Sequence, residues 1–388
     1  MTGGSPPPRG HPSLMAHPVV RLTMVLALLF IFLVAVSGLG DGFKLLGRDF
    51  VESFFAASRN PFIGLMIGIL ATTLVQSSSV TTTMIVGFVA SGTLPVAHAI
   101  PMVMGANIGT TVTNTVVSLA HMGRPEEFRR AFAVATCHDF FNFLSVLVLL
   151  PLELMTGFLE KTATALSSFL TGMGGPDYDS PIKELLKAAL IPVNAVVRVL
   201  FESQRLQAVA LIVLSAIAIF ASLMLLVKVM RAAMETRVES LVSSALDRNA
   251  MISMLVGIIV TVMVQSSSIT TSLLVPLAGA GMLTLRRAFP ITIGANIGTT
   301  VTALLAALAA TGENGPAAIT IALVHLLFNI SGAILVYPVK AVRNVPLTAA
   351  RTLANIAVRS RKWALIYVLG LFYAIPGLIA IINAIFNK

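Results

Sequence analysis

Charged residues are scarce in this chain. Only 11% of its 388 residues are Asp, Glu, Lys or Arg, while 56% are hydrophobic. A soluble domain carries about 25% charged residues, so this chain cannot cover itself with a surface suited to water. The composition excludes a soluble protein and predicts an integral membrane protein. In a soluble protein the net charge of +10 would suggest nucleic-acid binding. In a membrane protein it has another source, because basic residues gather in the cytoplasmic loops.

Cysteine is almost absent. Cys137 is the single cysteine, which excludes both an intrachain disulfide framework and a thiolate metal site. A lone cysteine in an apolar segment behaves as a small apolar residue. We expect no cofactor.

Long apolar runs are what the chain has in abundance. A membrane-spanning helix needs ~20 apolar residues, whereas a barrel strand is about half as long and alternates in polarity. The runs therefore predict an all-α integral membrane protein. Those near spanning length are 20–40, 97–120, 131–153, 206–228, 289–311, 317–339 and 363–386; two more, 61–92 and 251–283, are interrupted by polar motifs.

Three motifs occur twice, at nearly constant offset. The offset is 189 residues for the first two motifs and 187 for the third. The chain is therefore predicted to contain two copies of one unit. The matched pairs are TLVQSSSVTTT (73–83) with VMVQSSSITTS (262–272), GANIGTTVT (105–113) with its identical copy (294–302), and CHDFFN (137–142) with VHLLFN (324–329).

Each QSSS segment is predicted to form a re-entrant helical hairpin. Residues 61–75 would make roughly 22 Å of helix, short of the ~30 Å hydrocarbon core. The alternative is one continuous spanning helix with a polar face. The charges favour the hairpin: loop 340–362 has six basic residues and no acid, so it should be cytoplasmic. Counting back from it, segment 251–283 begins and ends on one side.

Each unit then has three crossings plus a hairpin, and an odd number of crossings turns the second copy upside down. Inverted repeats with broken helices are typical of secondary transporters. The expected organisation is a disordered cytoplasmic N-terminus 1–18, repeat 1 at 19–153 with hairpin 61–92, an external linker 154–205, repeat 2 at 206–339 with hairpin 251–283, a basic cytoplasmic loop 340–362 and a C-terminal membrane helix 363–388.

The two hairpin tips favour an anion. A helix that starts at QSSS presents unpaired amides and roughly half a positive charge, and such ends bind oxyanions. Hydroxyl and carboxamide groups add neutral donors. The predicted phosphate-binding residues are Gln76, Ser77, Ser78, Ser79, Gln265, Ser266, Ser267, Ser268, Asn107 and Asn296.

Sodium ions are the expected counter-charge, because no Lys or Arg lies in either QSSS turn or either GANIGTTVT motif. Gly105 and Gly109 are expected to permit local unwinding that frees carbonyl oxygens. The alternative is that the hydroxyls bond their own backbone and the small residues only allow close packing. The predicted sodium ligands are Asp139, Thr81, Thr82, Thr110, Thr111, Thr270, Thr271, Thr299, Thr300, Gln76 and Gln265.

Asp139 is the one acid between Glu127 and Glu153, which places it inside the membrane. Intramembrane carboxylates are costly and usually mark an ion path. The alternative is a structural pairing with His138 or Arg130.

The second copy has Leu326 where the first has Asp139, so the role of Asp139 is carried out once. His138 and His325 recur in both units. We interpret them, together with Asn142 and Asn329, as packing and hydrogen-bonding elements and not as a proton relay.

The paired QSSS segments, GANIGTTVT and RPEEFRRAFAVATCHDFFNFLSVLVLLPLE (124–153) resemble the type II sodium/phosphate cotransporters. The resemblance covers about 61–153 and 251–386. It implies sodium-driven uptake of inorganic phosphate held between the QSSS tips. Electrogenic animal members have Asp after the matched His and an electroneutral one has Gly, so Asp139 implies the electrogenic form, with one additional sodium per cycle.

Two departures from the animal members are visible. Loop 155–205 is short and lacks Cys, so their glycosylated, disulfide-bonded loop is missing. No further span or long tail follows the last apolar run, which predicts Lys388 on the outer side.

The sequence thus predicts a symporter, not an enzyme, importing phosphate with sodium by alternating access. Another tetrahedral oxyanion, arsenate or sulfate, is the alternative substrate. A membrane enzyme with a QSSS nucleophile would need a base, and no S-x-x-K or G-x-S-x-G accompanies these serines. A channel is the remaining alternative. The expected location is the inner (cytoplasmic) membrane, multi-pass, and the expected partners are phosphate, sodium, the lipid bilayer and a second copy in a homodimer, with no nucleic acid.

Overall fold

The computed structural model describes residues 18–46, 59–172, 181–245, 249–308 and 314–386. Within these ranges the chain is helical, with no strand, which confirms the all-α prediction. Most of the N-terminal segment expected to be disordered lies outside the described residues, as do Arg248 and Lys388.

Repeat 1 and the linker supply the first eight helices. They are α1 (Pro18–Leu46), α2 (Pro61–Val75), α3 (Ser78–Ala90), α4 (Val96–Thr110), α5 (Val112–Leu119), α6 (Pro125–Thr156), α7 (Phe158–Gly172) and α8 (Pro181–Leu200). Repeat 2 follows with α9 (Gln204–Ala245), α10 (Ala250–Val264), α11 (Ser267–Gly279), α12 (Leu285–Leu308) and α13 (Gly315–Val336). The chain ends in α14 (Lys340–Arg359), α15 (Lys362–Leu369), a π-helical turn (Gly370–Ala374) and α16 (Ile375–Phe386).

Six helical stretches in the described part of the chain are long and apolar enough to cross a membrane. They are Val19–Leu46, Pro125–Thr156, Gln204–Met230, Leu285–Leu308, Gly315–Val336 and Lys362–Asn383. The chain is therefore a multi-pass membrane protein, as predicted.

The apolar run 97–120 is not the single helix that we predicted. It is split at Thr111, whose amide bonds the carbonyl of Ile108 at 3.2 Å and whose hydroxyl bonds the same oxygen at 2.8 Å. This tight turn ends α4 and lets α5 start, whereas the matching segment of repeat 2 is the unbroken α12.

The expected basic loop 340–362 is also not a loop, because 340–359 is helical. Its small and apolar residues recur every three or four positions and are buried, while the arginines lie between them. This stripe packs on α6, which stabilises α14 as an amphipathic helix. The buried stripe is Pro346, Leu347, Ala350, Ala354 and Ala357.

The described parts of the linker, 154–172 and 181–205, are likewise folded and packed. α7 lies against α13 and α8 against α1 and α9, and the Ser167 hydroxyl donates to the carbonyl of Pro316 at 3.1 Å. The amphipathic stretch 182–191 forms part of α8.

Close glycine contacts join α2 to α4 and α10 to α12. A Cβ on Gly105 would overlap the carbonyl oxygen of Leu65, and one on Gly294 would overlap that of Met254. Gly105 and Gly109 both lie within continuous helix, so the unwinding predicted there is wrong. These glycines instead let two helix backbones touch, which is how small residues join helices in a membrane.

Candidate functional site

Both QSSS segments break a helix in the same way. Gln76 and Gln265 end their helices in the left-handed conformation, each at φ 57° and ψ 26°, and the next serines, Ser77 and Ser266, are extended at φ −154°. A new helix starts at the following serine in each copy. The alternative of one continuous rod is therefore wrong for both segments. Their re-entry into a bilayer, and the inversion of one repeat against the other, stay predictions.

The first serine of each motif caps the second helix. The Ser77 hydroxyl accepts from the amide of Val80 at 3.3 Å, and the Ser266 hydroxyl accepts from that of Ile269 at 3.4 Å. The two amides that open α3, those of Ser78 and Ser79, have no acceptor within their own helix. The side chains of both residues are buried, with 5% and 7% exposed. Each motif thus presents helix-start donors in a largely enclosed place.

The glutamine carboxamides are held at both ends. Gln76 donates from Nε2 to the carbonyl of Thr73 at 2.5 Å and accepts at Oε1 from the hydroxyl of Thr113 at 3.0 Å. Gln265 repeats the arrangement with Val262 at 2.7 Å and Thr302 at 2.9 Å. The last threonine of each GANIGTTVT motif therefore fixes the QSSS glutamine of its own repeat.

The two QSSS segments converge on α5. Thr113 bonds Gln76, and the next residue, Asn114, donates from Nδ2 to the hydroxyl of Thr271 at 2.7 Å. Asn114 also accepts at Oδ1 from Ser272 at 3.0 Å. Thr271 in turn bonds the carbonyl of Ser267, one turn back at the motif. Neighbouring residues of one short helix thus contact the QSSS segments of both repeats.

The eight predicted sodium-binding threonines all donate to backbone carbonyl oxygens three or four residues earlier in the chain. The distances run from 2.7 Å for Thr271 and Thr300 to 3.2 Å for Thr270. This is the self-satisfied arrangement that we set against the ligand hypothesis. A hydroxyl that donates still has lone pairs for a cation, so these bonds do not remove the ligand role. The remaining members are Thr81, Thr82, Thr110, Thr111 and Thr299.

Asp139 is fully buried on α6, and its carboxylate forms no ion pair with any residue that the structure describes. Its Oδ2 accepts from the hydroxyl of Tyr367 at 2.7 Å and from that of Thr115 at 3.5 Å. Its Oδ1 has no hydrogen-bond partner within the described residues. Both structural pairings considered above are wrong. His138 Nε2 bonds Asn296, and Arg130 bonds the carbonyls of Ala278 and Gly279.

Asn107 and Asn296 belong to a buried network between the repeats. His138 Nε2 bonds Asn296 Oδ1 at 2.5 Å, and Asn296 donates to Asn142 at 2.8 Å. Asn142 donates to the carbonyl of Asn107, whose side-chain oxygen accepts from Asn329 at 3.2 Å.

Helix geometry separates this network from the QSSS turns. On α12, Asn296 precedes Thr302, the partner of Gln265, by six residues, or about 9 Å and more than a quarter-turn around the helix. The contacts therefore favour a structural role for Asn296. They support the hydrogen-bonding role predicted for His138, Asn142 and Asn329, but not for His325, whose two ring nitrogens lack a partner within the described residues.

Four residues with contacts in the candidate site escaped sequence reasoning. Thr113 and Thr302 carried a signal, because they close an identical motif in both copies. Asn114 has Ala303 as its counterpart, so the repeat comparison passed over it. Tyr367 lies outside both repeats, and only the fold brings it to Asp139.

The chain is similar to a known protein family and to individual known proteins. A family model described as Na+/Pi-cotransporter matches residues 31–175 and 218–350. The chain is 34% identical over 443 aligned positions to sodium-dependent phosphate transport protein 2B of Homo sapiens, covering 92% of this chain and 64% of that protein. It is 36% identical over 429 positions to sodium-dependent phosphate transport protein 2A of Mus musculus, covering 93% and 67%. The chain thus spans about two thirds of the length of these relatives. No solved structure matches it.

Proposed function

Because the chain belongs to the Na+/Pi-cotransporter family, we propose that it imports inorganic phosphate together with sodium ions across the cytoplasmic membrane. The matched relatives are named as sodium-dependent phosphate transport proteins, which supports a transporter over an enzyme with a QSSS nucleophile. The two-copy architecture supports alternating access of one central site.

One observation carries the proposal. Thr113 and Asn114, adjacent on α5, bond Gln76 of one QSSS segment and Thr271 beside the other. These bonds support a single site between the two capped helix starts. A phosphate ion between them would meet the amides and hydroxyls of Ser78, Ser79, Ser267 and Ser268. The carboxamides of Gln76 and Gln265 would shape the site, because their polar atoms are already bonded.

The charges of this arrangement call for cations. Each helix start contributes roughly half a positive charge, whereas the phosphate dianion and the Asp139 carboxylate together bring three negative charges. Neither QSSS turn contains Lys or Arg. Sodium ions are the substrates that supply the missing charge, since hydroxyl, carbonyl and carboxylate oxygens are hard ligands that suit a hard cation. Asp139 Oδ1 and the acceptor lone pairs of Thr81, Thr82, Thr270 and Thr271 are the ligands we propose.

Uptake of labelled phosphate by proteoliposomes tests the function. An inward sodium gradient should drive accumulation, and an equal potassium gradient should not. Excess arsenate and sulfate added with the phosphate distinguish the alternative substrates. Uptake that is indifferent to sodium would overturn the proposal.

Charge movement tests the role of Asp139. Asp139→Gly should still take up phosphate but should move less net charge for each phosphate, because one carboxylate and the sodium that it binds are lost. Parallel measurement of current and labelled phosphate gives this ratio. A ratio equal to that of the unmodified protein would contradict the ligand role of Asp139.

A further inference from the structure

The C-terminal helical segment contacts Asp139 although it lies outside both predicted repeats. The family match ends at residue 350, and α15 follows it at Lys362–Leu369. From this segment the hydroxyl of Tyr367 donates to Asp139 Oδ2 at 2.7 Å. The contact joins this segment to Asp139, a carboxylate of repeat 1 whose counterpart in repeat 2 is Leu326.

The two carboxylate oxygens of Asp139 differ in their hydrogen bonds. Oδ2 receives Tyr367, and the Thr115 hydroxyl lies at 3.5 Å from the same atom while also bonding the carbonyl of Thr111. Oδ1 is fully enclosed and has no hydrogen bond of good geometry in the described ranges, with the Thr111 hydroxyl as a further polar group near the carboxylate. A buried carboxylate oxygen without a donor is costly, and such groups persist where a ligand completes them.

Three aromatic rings hold Tyr367 in place. Phe132 and Phe140, which flank Asp139 on α6, lie with ring centroids 6.4 Å from that of Tyr367. Phe372, in the π-helical turn, lies edge-on at 6.0 Å and is fully buried. The ring is therefore packed on the helix that carries Asp139 and on the turn that follows α15.

We propose that Tyr367 is a positioning residue for sodium: it holds Asp139 Oδ2 so that Oδ1 alone is presented to the ion. The inference rests on the proposed function, since sodium is the cation that the site transports. Without the hydroxyl, the carboxylate loses its shorter hydrogen bond and can rotate about its terminal torsion. Sodium must then fix that rotation when it binds, and its affinity falls.

Tyr367→Phe tests the role, with Tyr373→Phe as the matched control. Tyr373 lies six residues further along the same helical segment, in the π-helical turn, and among the described residues the side-chain hydrogen bonds to Asp139 come from Tyr367 and Thr115 instead. A hydrogen bond to a charged group contributes enough to change an equilibrium about tenfold or more. Tyr367→Phe should therefore raise the half-saturating sodium concentration for phosphate uptake about tenfold. Maximal uptake at saturating sodium should stay near that of the unmodified protein, whereas the thermal unfolding midpoint without sodium should fall, because the buried carboxylate loses its shorter donor. All values for Tyr373→Phe should stay near those of the unmodified protein.

Sodium binding can also be followed without transport. Trp363 is the only tryptophan of the chain and lies one turn before Tyr367 on α15. Its fluorescence during a sodium titration in detergent, with choline as control, should shift to higher sodium in Tyr367→Phe by the same factor. An unshifted titration together with unchanged sodium dependence of uptake would overturn the positioning role.

A double variant separates positioning from simple packing. In an Asp139→Asn background, Tyr367→Phe should cause no further loss of sodium affinity, because the carboxylate through which it acts is gone. A loss equal to that in the unmodified background would mean that Tyr367 acts elsewhere and would sink the inference. Sodium binding that shifts as expected in a protein that takes up no phosphate would reject the proposed function and leave the positioning role standing.

Discussion

Asn114 in repeat 1 donates a hydrogen bond to Thr271 in repeat 2 at 2.7 Å and accepts one from Ser272 at 3.0 Å. The two equivalent bonds from repeat 2 to the first QSSS segment cannot form, because the counterpart of Asn114 is Ala303. The residue that matches Ser272 is Thr83, and its buried hydroxyl has no partner within the described residues. The second QSSS segment is thus tied to the opposite repeat by hydrogen bonds that the first lacks.

This asymmetry predicts opposite effects at matched positions. Ser272→Ala should lower the free energy of unfolding by about 1 kcal/mol, since it leaves Asn114 Oδ1 without its donor inside the membrane. Thr83→Val, which removes an unpaired hydroxyl at nearly constant volume, should be neutral or stabilising. Thermal unfolding in detergent checks both. Equal destabilisation by the two variants would contradict the asymmetry.

Arg130 predicts a local effect at the end of the second hairpin. Its guanidinium donates to the carbonyls of Ala278 and Gly279, at 2.7 Å for the shortest bond, and these are the last carbonyls of α11. Arg130→Gln should speed hydrogen exchange of the amides around Gly281 about tenfold, because a cation that caps a helix C-terminus is lost.

The adjacent arginine is the control. Arg129 is largely exposed and pairs with Glu126 one turn earlier, an arrangement worth little in water. Arg129→Gln should leave exchange at 276–283 unchanged. If both variants accelerate exchange equally, the capping role of Arg130 is wrong.

The helix-to-helix glycines predict a steric effect. Gly105→Ala and Gly294→Ala should each destabilise the protein by about 1–3 kcal/mol or more, because the new methyl group would overlap a carbonyl of the facing helix and force the helices apart. Gly377→Ala, in a helix with nothing within 4 Å of the added carbon, should be neutral or slightly stabilising. Thermal unfolding midpoints of the three variants test whether the added methyl group destabilises these helix contacts.

The second serine of each motif predicts a change in substrate affinity. Ser78→Ala and Ser267→Ala should each raise the half-saturating phosphate concentration about tenfold, since a donor to an anion is removed, with folding retained because the capping serines Ser77 and Ser266 remain. Ser222→Ala serves as control, as its hydroxyl bonds only its own helix at Ile219. Unaltered phosphate affinity in both motif variants would reject the site.

Much of this architecture was readable from the sequence. The run lengths gave the helices, and the 15-residue distance from Pro61 to the glutamine led to the helix break that the structure places at Gln76. The sequence-based predictions were wrong in local detail. Thr111 looks the same as Thr300 in the motif, yet the helix is split at the first and continuous at the second. Gly105 was interpreted as a flexible point, whereas its missing side chain serves the contact with Leu65.

The site was harder, because its decisive contacts join distant parts of the chain. Repeats reveal what occurs twice, so they pointed to the serines and glutamines and missed Asn114. Composition revealed that Asp139 was isolated in an apolar run, but its partner lies 228 positions away on a helix with no counterpart. The basic residues of 340–362 led us to predict a loop. Its alanines, spaced three or four residues apart, have the pattern of an amphipathic helix and should have predicted α14.

The left-handed glutamines have a consequence for protein engineering. A residue other than glycine at positive φ is disfavoured by about 1 kcal/mol or more, and Gln76 and Gln265 are the two described positions where this chain accepts it. Glycine would remove this cost but also the two hydrogen bonds that each carboxamide makes, so glycine at either turn should be close to neutral for stability, while selection for growth on scarce phosphate should retain the glutamines. The residue found at each turn after selection would then show whether the variants had been selected for phosphate uptake.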